Sequence, residues 1–238
     1  MSMPESLLSA HGLRNGYGGK PVLQGVDVEV RAGEIIAVIG RNGVGKSTLM
    51  RALIGLLPTS EGSIRFRGER VERLSAHRRA RLGLGYVPQG RDVFPRMSVE
   101  ENLRVGRAAG RGGAASDFDL VYASFPILRE RRRQVAGTLS GGQQQQLAIG
   151  RVLIGRPALM LLDEPSEGIQ PSIVQDIGRI GVELNRTTGL TIVLVEQNID
   201  MIRAMAQRCY VMDKGRLVTT LTPEMLDDRE TVRRHLAV

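Results

Sequence analysis

Short apolar runs alternate along this chain with stretches in which apolar residues recur every three or four positions, and the rhythm predicts its elements. Residues 7–15 and 22–30 are short, Val-rich runs joined by Tyr17-Gly18-Gly19-Lys20-Pro21, which predicts an antiparallel β element. Ile35-Ile36-Ala37-Val38-Ile39 is apolar throughout, as a buried strand is, and Leu49 to Ile54 suits a helix. After a turn at residues 58–62, residues 63–66 and 84–87 read as strands, the second ending at Pro88-Gln89-Gly90. From about residue 91 to 155 the pattern becomes helical and Arg-rich, with a flexible patch at residues 108–116 and a capping box made by Ser98 and Glu101. The strand–helix rhythm then returns: a strand at 158–162, a helix at 171–187, a strand at 191–195 and a helix at 199–207. A hairpin around Lys214-Gly215 and a helical tail over residues 223–236 complete the chain. Such alternation predicts an α/β fold with a mostly parallel core sheet. Residues 1–90 and 156–238 would form the core, and residues 91–155 an inserted helical subdomain.

Composition narrows the class. With 238 residues, 42% of them apolar, the chain can bury a sizeable core. No window approaches the ~20 consecutive apolar residues of a membrane span, and Met1-Ser2-Met3-Pro4-Glu5-Ser6 lacks the layout of a secretion signal, so a cytoplasmic protein is expected. The single cysteine, Cys209, excludes an internal disulfide and reads as a buried core residue. A net charge of +8 would suit nucleic acid, but aromatics are 3% with no Trp, so a base-stacking platform is not expected. The densest basic runs, residues 78–81 and 129–133, read as solvated helical faces or contacts to an anionic membrane surface, with no nucleic-acid partner.

Candidate chemistry lies at the ends of the apolar strands. Gly40-Arg41-Asn42-Gly43-Val44-Gly45-Lys46-Ser47-Thr48 joins a strand to a helix and fits the P-loop pattern. Its glycines let successive N–H groups turn onto phosphate oxygens, and the helix start adds a positive dipole end. Gly40, Asn42, Gly43, Gly45 and Thr48 would line this cradle, Lys46 would reach the β- and γ-phosphates, and Ser47 would ligate Mg²⁺. The strand at 159–162 ends in Asp163-Glu164; adjacent carboxylates at a buried strand end are costly unless a cation needs them. Asp163 would hold Mg²⁺, and Glu164 would act as general base on the attacking water. Ser140-Gly141-Gly142-Gln143, at the start of a helical run, is a second anion site or a plain helix cap.

The P-loop, Gln89, Leu139-Ser140-Gly141-Gly142-Gln143 and Leu159 to Glu164, in that order, resemble the ATP-binding-cassette ATPases over essentially the whole chain. Small-molecule kinases share the P-loop but not the five-residue signature. The resemblance implies a RecA-like, P-loop NTPase core that hydrolyses Mg·ATP, paired head to tail with a second ATPase subunit. Ser140, Gly141, Gly142 and Gln143 of one subunit would then close over ATP on the other. It also makes Tyr17 the adenine-stacking residue and Gln89 the residue that senses Mg²⁺ and the transmembrane permease subunits. The coupling surface would lie at residues 91–110 beside Gln89, and the subunit at the inner face of the cell membrane, with a solute-binding protein as indirect partner. Two positions depart from the family pattern. Gln197 stands where a switch histidine is usual, able to hydrogen-bond a γ-phosphate but not to carry a proton, and Gln170 stands at a usual Asp. These departures, with Phe125-Pro126 and the Gln143–Gln146 run, resemble the smaller ATPase of branched-chain amino acid importers. Residues 88–92 and 167–172 resemble the urea or short-chain amide members of that branch. The alternative is a non-transport ATPase of the same fold acting on nucleic acid or ribosomes. Those relatives generally carry two cassettes or a coiled-coil insertion, and this chain has one motif set and no heptads.

Overall fold

The computed structural model describes residues 6–110, 116–228 and 230. Its first strands, β1 (Ser6–Tyr17) and β2 (Lys20–Arg31), pair antiparallel around Gly18-Gly19, both at positive φ, and bury Leu8, Ala10, Leu13, Leu23, Val26 and Val28. The next strand, β3 (Ile35–Ile39), is buried at every residue, and its successor helix α1 (Lys46–Ile54) ends at Gly55 in the left-handed conformation. A further pair, β4 (Glu61–Phe66) and β5 (Glu69–Arg70), extends the hairpin into a four-stranded antiparallel sheet, order β2-β1-β4-β5. β5 is only a polar pair of residues and has no hydrophobic pattern to announce it.

The core sheet contains β3, β6 (Leu84–Val87), β7 (Leu159–Asp163), β8 (Thr191–Val195), β9 (Arg208–Asp213) and β10 (Arg216–Leu221), in the order β10-β9-β3-β8-β7-β6. All its neighbours run parallel except β9 and β10, the hairpin expected around Lys214-Gly215. The α/β class and the mostly parallel core sheet thus stand as read. Helix α1 fills the space between the two sheets: Leu49, Met50 and Leu53 share one apolar cluster with Leu8 and Leu23 on one side and Ile36, Val38 and Val193 on the other.

Helix α2 (Ala76–Leu82) revises one reading of the basic runs. Arg79 is 1% exposed, where a solvated face was expected. Its guanidinium donates to the carbonyls of Ala52 (2.8 Å) and Leu53 (2.7 Å) at the end of α1, and to those of Leu74 (3.0 Å) and Glu72 (3.0 Å). The last carbonyls of a helix lack intrahelical partners, and Arg79 supplies them. Burial pulls the guanidinium down to about 10, still charged at neutral pH. Arg79→Leu takes the guanidinium away from all four carbonyls, of which Ala52 keeps the Gly55 N–H, and is expected to destabilise the fold by roughly 3–5 kcal/mol. Urea denaturation measures this; an unchanged midpoint would mean the carbonyls find other partners.

Helices α3 (Val99–Ala109), α4 (Ser116–Ser124), α5 (Pro126–Glu130) and α6 (Gly141–Leu153) cover the other face of the core sheet with α7 (Pro171–Thr188). Ser98 and Glu101 close the expected capping box on α3. Leu103, Val121, Leu128 and Leu147 join Val87, Met160, Leu162 and Leu194 in one continuous cluster, so the helical block shares its core with the sheet. Helix α8 (Ile199–Met205) and a 3₁₀ turn at Pro223–Asp227 flank β9 and β10, with Cys209 fully buried beneath them. Burial pushes the Cys209 thiol up to about 12, in keeping with an inert core residue. Residues 1–5 at the start, 111–115 of the expected flexible patch, and 229 and 231–238 around the expected tail lie outside the described residues.

Candidate active site

Parallel register gathers the site. Val38 of β3 and Asp163 of β7 both align with Val195 of β8, so the loops leaving all three strands open at the same carboxyl edge, where α/β sheets bind their ligands. Gly40 begins the first loop at φ 148°, and a Cβ there would stand 2.3 Å from the carbonyl oxygen of Met212. Only glycine lets the loop pass β9 so closely. The loop delivers Lys46 to the first turn of α1, 4% exposed, with its Nζ donating to the carbonyls of Gly40 (2.8 Å) and Arg41 (3.0 Å). Burial draws the ammonium below its ordinary value against the opposing pull of Glu164, Asp163 and Glu196.

Asp163 closes β7 at 1% exposure. One oxygen accepts from the Ser47 hydroxyl (3.0 Å) and the other from the Tyr86 hydroxyl (3.1 Å). Burial raises its carboxyl above the ordinary range, although both hydroxyls oppose the shift. A hydroxyl and a buried carboxylate at this spacing form the hard oxygen pair that suits Mg²⁺. No group of three or more His, Cys, Asp or Glu side chains placed to hold a metal occurs among the described residues.

Glu164 sits at φ 48°, a left-handed conformation that costs a non-glycine residue energy. Its N–H is fixed to the Val195 carbonyl (2.8 Å), which holds the turn and aims the side chain into the site. One carboxylate oxygen accepts from Gln197 Nε2 (3.2 Å) and lies 3.8 Å from Lys46 Nζ; the other accepts from Gln89 Nε2 (3.2 Å). Burial raises this carboxyl, with Gln197 and Lys46 opposing. Gln197 Nε2 also donates to Asn42 Oδ1 (2.7 Å), and Gln89 Nε2 to Glu167 (2.9 Å).

These groups line one cavity of about 680 Å³ that takes in Asn42, Gly43, Gly45 to Thr48, Gln89, Glu164 and Gln197. Gly40 and Asp163 do not line it and stand behind residues that do, Gly40 through its carbonyl on Lys46 and Asp163 through its bond to Ser47; two further predicted pieces lie apart from it. Tyr17, 46% exposed, lines a neighbouring cavity of about 520 Å³ with Arg51, Tyr86 and Gln89. Ser140 caps α6, accepting from the Gln143 N–H (3.4 Å), while Gln143 Oε1 accepts from the Ser140 N–H (3.1 Å). A Cβ on Gly142 would meet Ile173 Cδ1 at 2.4 Å, so this helix start is packed closely on α7. The helix cap left open by the sequence is therefore present, and any anion it binds comes from outside this cavity.

Two residues escaped the sequence reading. Tyr86 holds Asp163 from β6, and nothing in its local pattern distinguishes it from a half-buried tyrosine. Glu196, 2% exposed, lines the cavity directly after β8. Its signal was available: an apolar strand ending in a carboxylate is the pattern that singled out Asp163 and Glu164.

The arrangement presents a buried cation and helix N-terminal amides to a polyphosphate, an oxygen pair to a metal and a carboxylate to water, as nucleoside triphosphate hydrolysis requires. Residues 23–167 match the ABC transporter family model. The high-affinity branched-chain amino acid transport ATP-binding protein BraG of Pseudomonas aeruginosa is 46% identical over 203 residues, which cover 85% of this chain and 87% of that protein. A probable branched-chain amino acid transport ATP-binding protein, LivF of Archaeoglobus fulgidus, is 34% identical over 92% of this chain and 93% of its own. The lipopolysaccharide export system ATP-binding protein LptB of Escherichia coli is also 34% identical, with 96% of each chain covered. Among solved structures, the ADP conformation of MJ1267, an ATP-binding cassette of an ABC transporter, superposes with a TM-score of 0.83 at 25% identity, covering 96% of this chain and 98% of that one. With the site's geometry and these matches together, the chain belongs to the ATP-binding, ATP-hydrolysing subunits of ABC transporters.

Proposed function

We propose that this subunit powers import of branched-chain amino acids. The observation that carries the reading is the 46% identity to BraG across most of both chains. Lys46 and the amides of residues 40–48 hold the phosphates of ATP, with Asn42 and Gln197 beside the γ-phosphate. Ser47 and Asp163 hold Mg²⁺, which when bound supplies positive charge against the phosphate oxygens. Glu164 takes a proton from the attacking water, and Gln89 and Gln197 position its two oxygens. Tyr17 stacks on adenine, a role its exposure beside the P-loop cavity supports. Ser140, Gly141, Gly142 and Gln143 serve the nucleotide of a second subunit, self or paralogue, in a head-to-tail pair. Their place outside the P-loop cavity supports that role.

The permease subunits dock beside residues 91–110 of the helical subdomain, residues 91–155. A groove of about 490 Å³ there exposes Leu56, Phe94 and Val105 and supports this placement. Among the described residues no helix is long and apolar enough to cross a membrane, so separate membrane subunits would carry the solute, supplied by a solute-binding protein. The subunit works as a peripheral protein on the inner membrane face.

Deleting the gene and measuring uptake of labelled leucine tests the reading. Uptake is expected to fall and to return with the wild-type chain but not with Glu164→Gln. Unchanged leucine uptake would overturn the solute class. Labelled urea and acetamide in the same assay decide the alternative that residues 88–92 and 167–172 suggest.

A further inference from the structure

Glu196 is a buried carboxylate to which the chemistry above gives no task. One of its oxygens accepts from the Ser166 N–H (2.9 Å), in the loop that follows Glu164. The other accepts from the N–H groups of Gln197 (2.6 Å) and Asn198 (2.8 Å), in the loop that follows β8. Its hydrogen-bond partners are thus three backbone amides from two segments about thirty residues apart in sequence. Asn198 in turn caps α8, its side chain accepting from the Met201 N–H (3.0 Å). Gln197 is thereby held at its own amide and through its neighbour's, while its side chain reaches Asn42 and Glu164.

We propose that Glu196 is a positioning residue that clamps the loop bearing Gln197 to the loop after Glu164, itself fixed by the Glu164 N–H on Val195, so that the Gln197 side chain is held in place at the γ-phosphate site. A buried carboxylate is costly to desolvate, and three N–H donors offset that cost only while both loops stay in register. No neutral side chain of this size can replace it: glutamine offers one acceptor oxygen and would turn an N–H against at least one of the same amides. The proposal rests on the placement of Gln197 at the γ-phosphate, and its test separates the two.

In Glu196→Gln, kcat is expected to fall about tenfold while the Kd for ATP stays within about twofold, because the P-loop cradle is untouched. In a Gln197→Ala background the same change should lower kcat less than about twofold, since the residue it positions is gone. A full tenfold loss in that background marks a merely structural role and overturns the proposal, as does a parental kcat in the single variant. If Gln197→Ala alone leaves kcat unchanged, the reading of Gln197 fails, and hydrogen exchange on the wild-type chain judges the clamp by itself. With adenylyl imidodiphosphate added, the amides of Ser166, Gln197 and Asn198 are expected to change protection together. Independent responses would overturn the clamp, and this measurement stands even if the variants do not fold.

Discussion

Glu164→Gln is expected to lower ATP turnover by roughly 10²–10⁴-fold, about 3–5 kcal/mol of barrier, while ATP binding persists. The substitution keeps the length and shape of the side chain and tolerates the same left-handed backbone, so the turn fixed by Val195 survives. What it removes is the ability to accept a proton: a carboxylate can take one from water, an amide cannot. Nothing in the phosphate cradle changes, and loss of a negative charge 3.8 Å from Lys46 leaves that ammonium freer to meet phosphate. Phosphate release in single turnover, read beside equilibrium binding of labelled ATP, checks both halves. A variant hydrolysing at the parental rate would remove Glu164 from the role of base. The two amides that cap Glu164 make a further point: Gln89 and Gln197 donate to it from different loops, so the carboxylate is aligned by groups that cannot compete with it for a proton.

Most of this site was legible because strands announce their ends. The all-apolar runs of β3 and β7 each give way abruptly to glycines or carboxylates, and parallel pairing then forces those ends to one edge. The signature segment was legible as a helix start, but its residues do not line the P-loop cavity. What was hidden depended on direction. Arg79 sits in a run of arginines that composition assigns to water, and one position of that helix happens to face the end of α1. Tyr17 was placed by its loop, yet its ring lines a cavity with Arg51 and Tyr86, because a side chain at a hairpin tip has several faces available. Glu196 carries the strand-end signal of Asp163, but its partners are backbone N–H groups, which side-chain identity does not announce. Periodicity pointed to helices in residues 91–155, whereas the core they share with the sheet was not legible, since a pattern of buried positions does not say what they are buried against.

Lys46→Ala should act at the opposite step, raising the Kd for ATP roughly 10–100-fold, the loss expected when a charge-assisted contact worth about 1.5–3 kcal/mol is removed. Lys46 is nearly inaccessible, held to the carbonyls of Gly40 and Arg41, and faces Glu164. Its truncation therefore does three things at once. It takes the cation from the phosphates, leaves two carbonyls of the loop without their donor, and strips Glu164 of its neighbouring positive charge. All three disfavour a polyanion in the cradle, so weakened affinity appears before any effect on chemistry. Lys46→Arg keeps the charge and separates electrostatics from fit: a guanidinium is too broad for the space the ammonium fills against Gly40, so only part of the affinity should return. Unchanged ATP affinity in Lys46→Ala would take the lysine out of the site. With weak binding there and retained binding in Glu164→Gln, holding the nucleotide and cleaving it belong to different loops, joined only where Glu164 and Lys46 face each other across the cavity.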